Sequence, residues 1–384
     1  MSTPQNYLVQ HFGPACLAGI TVSDWAALLA ENGFRVSPQY LGKAAFLTAS
    51  SLGTSACRIL EETFYAKSLS QHAVTAPVFI LGSWRSGTTH LHNLLNLDDQ
   101  FVSPNLFQTM YPHTFLISES WLRPLLDLMT PKKRFMDNMD MGLREPAEDE
   151  MALAILSLRS NMLSWTFPRN AARYDRFLDF RDVPDTDRHY WKQHLDRFVR
   201  KVTLRNGKQP LLKSPNHTAR IRMLLELYPG AKFIHLRRNP YDVYRSLVHM
   251  ANQVIPVWGL QTFPSETISD MVIEMYRRLY AAYFDQMTLI PAGQFHEITY
   301  EDLIQTPVQV MEQTYQALSL GDFELRRAVI DRYTSAKSGY QRNRHQEIPA
   351  PICEKLHDQW RQSFEAWDYP RAGTSEAAVM NNDP

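Results

Sequence analysis

The fold of this chain is decided by the stretch Val78-Phe79-Ile80-Leu81-Gly82-Ser83-Trp84-Arg85-Ser86-Gly87-Thr88-Thr89. Its apolar first third predicts a buried strand, and its two glycines predict a tight loop that leads into a helix. Glycines with this spacing, followed by hydroxyl residues, are typical of a loop that cradles a phosphate. The lysine that a Walker A loop carries after its second glycine is replaced by Thr88, and the cation of this loop is Arg85.

Composition limits the class of protein. The 384 residues are 44% hydrophobic and 21% charged, which suits a globular chain with a large core. Forty Lys and Arg balance forty Asp and Glu, so the basic excess of a nucleic-acid-binding protein is missing and we expect no nucleic-acid partner. Cys16, Cys57 and Cys353 are few and far apart, which favours free thiols in a reducing, cytoplasmic compartment. No Cys–His spacing suggests a metal site.

The sequence also bears on secretion and on contact with a membrane. Residues 1–10 lack the basic and apolar regions of a secretory signal, and we expect none. No apolar run reaches the roughly 18 residues that a membrane-spanning helix needs, so we expect no membrane span. Peripheral contact with a membrane stays open.

A helical arm is predicted for residues 1–75. Ser23 is expected to cap a first helix that stops at Gly33, and Ser37-Pro38 is expected to open a second one. We interpret this arm as a cap or a dimer element, which leaves a homodimer open.

Strands and helices alternate through residues 76–369, which predicts one α/β domain with a P-loop-like parallel sheet flanked by helices. The small, polar residues 370–384 predict a disordered tail. The predicted strands are Pro77–Leu81, a short strand through Leu211 that ends at Lys213, Lys232–Leu236 and Phe295–Ile298.

The glycine loop is suited to an anion. The backbone amides of Ser86, Gly87, Thr88 and Thr89 are expected to point inward at a helix N-terminus, where the helix dipole favours negative charge. Arg85 adds a planar fork of donors over the same anion. The alternative is a plain glycine turn between a strand and a helix.

A second anion site is predicted after the strand Lys232–Leu236. Arg238 flanks a helix that Asn239-Pro240 opens, and Ser246 lies two turns further on roughly the same face. An arginine at a helix start is otherwise a common surface feature. No strand ends in an obvious aspartate that could hold magnesium, and the pair Arg237-Arg238 would repel the ion. The pattern indicates two separated anionic groups and no metal.

The order of these motifs resembles the sulfotransferase superfamily that uses 3′-phosphoadenosine 5′-phosphosulfate (PAPS). The resemblance covers about residues 77 to 345 and includes Tyr300-Glu301-Asp302-Leu303 after the last strand. The Arg-Ser-Gly-Thr-Thr form of the loop is similar to bacterial and tyrosylprotein members rather than to the cytosolic branch, which has lysine in place of Arg85.

The resemblance implies roles for these residues. Arg85 and the loop amides would hold the 5′-phosphosulfate, Arg238 and Ser246 the 3′-phosphate, and Tyr300 the nucleotide. His90 stands where the cytosolic branch has a tryptophan against adenine, so the adenine contacts are in doubt. A late basic and aromatic loop would close over the nucleotide; its residues are Lys337, Tyr340, Arg342 and Asn343.

Two candidates remain for the base that accepts the proton of the acceptor. In Lys213-Ser214-Pro215-Asn216-His217 the lysine matches one that contacts the transferred or leaving group, and His217 resembles the family's base. The histidine lies further from the lysine than in the cytosolic branch, and it could instead cap the following helix. The rival is a carboxylate at Glu148, Asp149 or Glu150, although three adjacent acids are also typical of a solvated helix start.

The acceptor is the least determined part of the function. The aromatic and methionine-rich residues 101–145 suggest a partly apolar pocket or lid, and a plain packing role is the alternative. We expect a small-molecule or lipid-like hydroxyl, or an amine, as the acceptor, and phenolic, lipid-like, carbohydrate and peptide hydroxyls all stay open. Two other classes stay open: a P-loop kinase or NTPase, which would need a Walker lysine and an acidic magnesium ligand, and a non-catalytic nucleotide-binding protein.

Overall fold

The structure, a computed structural model, describes residues 17–128, 142–336 and 347–371. It begins with the helical arm, in which α1 (Val22–Glu31) precedes a 3₁₀ turn at 38–40 and the long helix α2 (Leu41–Gln71). The expected cap at Ser23 is wrong. The hydroxyl of Thr21 accepts a hydrogen bond from the backbone N–H of Asp24, so the helix begins two residues earlier than the sequence pattern indicated. The prediction that Ser37-Pro38 opens the second helical segment is confirmed.

Five strands form a parallel sheet. They are β1 (Val78–Leu81), β2 (Phe101–Val102), β3 (Gln209–Lys213), β4 (Lys232–Arg237) and β5 (Phe295–Thr299), arranged in the order β2-β3-β1-β4-β5. Each adjacent pair is parallel, which confirms the predicted α/β class.

Helices cover the sheet. After α1 and α2, they are α3 (Thr88–Leu95), α4 (Leu106–Met110), α5 (Phe115–Asp127), α6 (Asp149–Leu156), α7 (Leu163–Thr166), α8 (Ala171–Asp175), α9 (Asp185–Thr203), α10 (Ile221–Leu227), α11 (Pro240–Trp258), α12 (Ile268–Gln286), α13 (Tyr300–Gln305), α14 (Pro307–Leu318), α15 (Glu324–Ala336), α16 (Ala350–Gln359) and α17 (Arg361–Trp367). Short 3₁₀ segments lie at 168–170, 215–219, 265–267 and 287–289.

The central strand is apolar along its whole length because both of its faces are buried. Phe79 and Leu81 belong to the larger core cluster, whereas Val78 and Ile80 point to the smaller cluster on the opposite face. A parallel strand that is covered on both sides has this continuous apolar pattern rather than an alternating one.

The helical arm shares the main core. Trp25 and Leu28 of α1 and Leu47 of α2 pack in the same cluster as Phe79 of the central strand. The division of the chain into an arm and a domain therefore stays a prediction. The predicted tail also stays a prediction, because residues 372–384 lie outside the described part of the chain. On α9 the apolar side chains at helical spacing are all buried, and these are Trp191, Leu195, Phe198 and Val202.

The sheet brings the predicted motifs to one edge. The glycine loop follows β1, Lys213 ends β3 and Arg238 follows β4, and these three strands are neighbours. Because parallel strands end at the same edge, their carboxyl ends form the place where an open α/β sheet binds its ligand. Within the described ranges, no helix is both long enough and apolar enough to cross a membrane.

Candidate active site

The glycine loop has the backbone of an anion cradle. Gly82 and Gly87 adopt φ of +140° and +101°, and Arg85 between them has a φ of +67°. A Cβ at Gly82 would lie 2.7 Å from the carbonyl oxygen of Leu236, and a Cβ at Gly87 would overlap the ring of Tyr300. Both positions therefore require glycine, and the loop delivers its last amides to the N-terminus of α3.

Two residues that the sequence did not single out brace this loop. The hydroxyl of Thr218 accepts a hydrogen bond from the N–H of Gly82 (2.8 Å) and donates one to its carbonyl oxygen (3.2 Å). The N–H of Ser83 donates to the hydroxyl of Tyr280 at 3.1 Å. Such long-range support has no local sequence signal, because each partner lies more than a hundred residues away along the chain.

The two predicted anion motifs meet directly. Arg85 Nε donates to Ser246 Oγ at 2.8 Å, and an Nη of Arg238 donates to the carbonyl oxygen of Arg85 at 2.9 Å. The guanidinium of Arg238 lies 4.1 Å from the centre of the Tyr300 ring, a cation–π contact. Its buried Nε has no hydrogen-bond partner among the described residues. A guanidinium that keeps an unused hydrogen-bond donor is suited to binding an anion.

Asn239 and Arg237 complete the turn after β4. The Asn239 side chain accepts a hydrogen bond from the N–H of Tyr241 and Pro240 is the first residue of α11, as the sequence predicted. Arg237 faces the other way: its Nε lies 3.4 Å from Glu297, and an Nη donates to the carbonyl oxygen of Trp367. Of the arginine pair, Arg238 is therefore the one that lies at the glycine loop.

Lys213 and Glu148 form an ion pair beside the loop. Lys213 Nζ lies 2.7 Å from Glu148 Oε1 and 3.4 Å from Thr89 Oγ1. The lysine is buried, whereas the carboxylate is partly exposed at the residue that precedes α6. This arrangement sets a cation and a carboxylate next to the predicted anion cradle.

His217 is paired with a different acid. Its Nε2 lies 2.6 Å from Asp149 Oδ2, both side chains are fully buried, and the ring packs edge-on against Phe79 and Trp191. Burial raises the pKa of Asp149, but the charge and the hydrogen bond of His217 outweigh it and hold that pKa below its usual value. The alternative in which His217 caps the next helix does not hold, because the N-cap of α10 is Arg220 and no side chain makes a capping hydrogen bond there.

Glu150 pairs with Arg220. Two nitrogens of the guanidinium contact its carboxylate at 2.6 and 3.0 Å in a bidentate pair, and Ser160 Oγ donates to it at 2.6 Å. Asp149 and Glu150 are thus both buried, the first against His217 and the second in an ion pair with Arg220. The interpretation of the three acids as a solvated helix start is wrong for these two.

Comparison with known proteins decides the family. The family model described as the sulfotransferase family matches residues 77–324. The chain belongs to the sulfotransferase family. It is 34% identical over 354 residues to the omega-hydroxy-beta-dihydromenaquinone-9 sulfotransferase Stf3 of Mycobacterium bovis and of Mycobacterium tuberculosis, with 92% of this chain and 91% of each relative covered. The motif resemblance is confirmed, and the chain is an enzyme with sulfotransferase activity.

Solved structures show the same fold. The sulfotransferase STF9 from Mycobacterium avium matches with a TM-score of 0.68 and 18% identity, covering 97% of this chain and 99% of its own. The sulfotransferase STF1 from Mycobacterium tuberculosis matches with a TM-score of 0.65 and 18% identity, covering 89% and 92%.

The remaining predicted residues of this sulfotransferase are only partly described. His90 lies half-buried on α3, two residues after the helix start, and Tyr300 is the first residue of α13. Lys337, Tyr340, Arg342 and Asn343 fall in 337–346, outside the described residues. Among the residues that are described, no group of three His, Cys, Asp or Glu side chains is arranged to hold a metal ion.

One buried histidine of this sulfotransferase, His92 on α3, has no local sequence signal. Its Nε2 lies 2.8 Å from Ser103 Oγ, and the side chain is fully buried. Burial, with the nearby charge of Lys213, lowers the pKa of His92 to about 3. This side chain is therefore neutral at physiological pH and links α3 to the segment after β2.

Proposed function

We propose that this sulfotransferase moves a sulfuryl group from PAPS to the hydroxyl of a lipid-like acceptor without a metal ion. The observation that carries the proposal is the convergence of both anion motifs with the Lys213–Glu148 pair at one sheet edge. Each phosphate of the donor then has its own cation, and a carboxylate stands beside the position of the transferred group.

The donor is held at two points. Arg85 and the amides of Gly87, Thr88 and Thr89 take the 5′-phosphosulfate at the start of α3, where the helix dipole adds positive potential. Arg238 and Ser246 take the 3′-phosphate. The hydrogen bonds that link Arg85 to both of these residues fix the separation of the two points.

The transfer step is a displacement at sulfur. The acceptor oxygen forms a bond to sulfur while the bond from sulfur to the bridging phosphate oxygen breaks. The bonding electrons leave with the bisphosphate, and the hydroxyl proton passes to a carboxylate. Arg85 and Lys213 stabilise the negative charge that develops on the leaving and sulfuryl oxygens.

We assign the base to Glu148 in preference to His217. Glu148 is partly exposed and lies within hydrogen-bond distance of Lys213, whereas His217 is fully buried and its Nε2 is engaged by Asp149. A base has to reach the proton that it accepts. Lys213 lies between Glu148 and Thr89, so it can turn from the carboxylate towards a sulfuryl oxygen when the donor binds.

The acceptor class rests on the curated relatives. Stf3 is named for a hydroxylated menaquinone, which is an isoprenoid lipid, and this chain matches it over most of its length. A lipid-like alcohol is therefore the acceptor class that we propose.

Binding of the donor product tests the proposal first. Adenosine 3′,5′-bisphosphate at 100 times its Kd should stabilise the protein by about 2.7 kcal/mol in a thermal-shift assay, and Mg·ATP should not. The opposite pattern would favour a kinase or NTPase. Transfer of label from ³⁵S-PAPS is then measured with a hydroxylated prenylquinone, a phenol, a sugar and a tyrosine peptide. Label in the phenol, the sugar or the peptide but not in the prenylquinone would overturn the lipid-like acceptor class.

Three finer expectations accompany the proposal. Metal independence requires that a chelator leaves the transfer rate unchanged. The free thiols of Cys57 and Cys353 suit a reducing, cytoplasmic compartment, which fractionation of the native cell would check. A homodimer stays a prediction that light scattering of the purified protein would decide.

A further inference from the structure

The exposed face of helix α2 is unusual for a surface helix. From Leu41 to Ala66, none of the exposed positions is charged. Large apolar side chains recur along this face, and Leu52, Ile59 and Phe64 are 63%, 68% and 70% exposed. The uncharged segment is about 39 Å long at 1.5 Å per residue, and Leu52 and Ile59, seven residues apart, lie on the same side of the helix.

Two of the four charged residues of this helix segment point towards the protein. Lys43 is buried and donates to the carbonyl oxygen of Gly259 at 3.2 Å, and Glu61 is buried in an ion pair with Lys201. Arg58 and Glu62 lie at the flank, 3.7 Å apart. A helix that faces only water normally has the opposite distribution, with polar residues outside and apolar residues inside.

The exposed face also offers few polar groups to a protein partner. Thr48 and Thr63 are its exposed hydroxyl side chains, and each donates its hydrogen to a carbonyl oxygen of the same helix at 2.8 Å. Thr48 in addition accepts a hydrogen bond from the indole of Trp25. A protein–protein interface makes about one hydrogen bond per 100–200 Å², and this face has little to contribute to such bonds.

Helix α5 extends the apolar surface. It packs against α2, and Trp121, Leu125 and Leu128 lie exposed at the spacing of one helix face. Tryptophan is enriched where a protein meets the boundary between lipid headgroups and hydrocarbon. The exposed, basic Lys67 stands one helical turn beyond Phe64, where it could contact lipid phosphates.

This surface is connected to the predicted acceptor side of the site. Glu119 of α5 accepts hydrogen bonds from Asn105 (2.9 Å) and Gln108 (3.1 Å). Asn105 pairs in turn with Pro146 in a β-bridge, two residues before Glu148. Few residues therefore separate the apolar surface from the carboxylate that we assign as the base.

We propose that the apolar surface of α2 and α5 docks onto a lipid bilayer. The inference rests on the proposed function, because a lipid-like acceptor would be drawn from the layer that the surface contacts. The uncharged face complements the hydrocarbon boundary, and Lys67 complements anionic headgroups. The protein would lie on the bilayer without crossing it.

Vesicle flotation tests the docking. Purified full-length protein is mixed with vesicles of phosphatidylcholine and phosphatidylglycerol in equal amounts, with no donor or acceptor present. Wild type should float with the vesicles, and Leu52→Glu combined with Ile59→Glu should reduce binding at least ten-fold. The control combines Leu325→Glu with Val329→Glu on α15, where a leucine and a valine are exposed, and it should bind as wild type does. Phe64→Glu is an independent second variant.

Several results would overturn the docking proposal. One is a wild type that stays with the soluble fraction, and another is a Leu52 and Ile59 double variant that floats as well as the control. A third is a dimer in light scattering that the double variant dissociates, since a second copy would then occupy the face. Vesicle binding without transfer to a lipid alcohol would instead remove the proposed acceptor and leave the docking surface standing.

Discussion

Arg85 is the residue on which the donor site that we propose depends. It adopts a left-handed backbone with φ of +67°, which costs a non-glycine residue about 1–2 kcal/mol, and its side chain and carbonyl oxygen both contact the second anion motif. Arg85→Ala should lower kcat by about 10²–10³, the usual cost of losing one donor to a developing negative charge. Steady-state transfer from labelled PAPS measures the change. Arg222→Ala, at an exposed arginine of α10, is the control, and near-normal turnover of Arg85→Ala would remove Arg85 from the mechanism.

The identity of the base can be decided at Glu148 and His217. Glu148→Gln should lower kcat by about 10²–10⁴, the range for general-base catalysis, while binding of adenosine 3′,5′-bisphosphate is kept. At low temperature, where the destabilised variant stays folded, His217→Gln should leave turnover close to that of wild type. It should also lower the free energy of unfolding by about 3–5 kcal/mol, because Asp149 then stays buried without its partner. If the loss of turnover is larger in His217→Gln, with bisphosphate binding kept, the assignment is reversed.

At the scale of elements, the start of α6 and the segment after β3 pair in register. Glu148, Asp149 and Glu150 contact Lys213, His217 and Arg220 in that order. The pairs of Asp149 with His217 and of Glu150 with Arg220 are fully buried and hold the two segments together. The remaining pair, Glu148 with Lys213, lies at the glycine loop, where the lysine also contacts Thr89. In the mechanism that we propose, Asp149 and Glu150 therefore have a structural role and Glu148 a chemical one.

In the glycine loop, the effect of backbone strain on donor binding can be separated from the effect of contact with the Tyr300 ring. Gly87→Ala should weaken binding of adenosine 3′,5′-bisphosphate at least ten-fold, because the new methyl group would displace the Tyr300 ring and with it the Arg238 guanidinium. Gly293→Ala is the matched control: its φ is +79°, but no atom lies within 4 Å of the added Cβ. Both variants should lose stability to backbone strain, of order 1 kcal/mol. Calorimetric titration measures the binding, and equal affinities in the two variants would contradict the role of Tyr300.

Much of this arrangement was predictable from local sequence signals. The strand at 78–81, the loop glycines and the Asn239-Pro240 helix start depend on neighbouring residues, and the structure has them as predicted. The bracing of Gly82 by Thr218 and the pairing of His217 with Asp149 depend on contacts between residues far apart in the chain. No periodicity or residue spacing in the sequence predicts such contacts.

At the scale of the whole molecule, the arm shows where sequence periodicity misleads. Its apolar residues predict helices but do not say which face is buried. On α2 the core contacts include Leu47 and Leu69, the charged Lys43 and Glu61 also point inward, and larger apolar side chains stay exposed. The arm is thus both part of the main core and, as we propose, the surface that meets lipid.

Buried histidines should make the whole fold sensitive to acid. Burial lowers the pKa of His92 to about 3, and it also lowers the pKa values of His113 and His235. In the unfolded chain each would titrate near 6.5, so below that pH the unfolded state binds more protons and stability falls as the pH falls. From pH 7 to pH 5, His92 alone should cost about 2 kcal/mol of unfolding free energy. Urea denaturation at both pH values measures the loss. His92→Gln should reduce the difference between the two pH values by that amount, and an unchanged difference would mean that His92 can take up a proton within the folded protein.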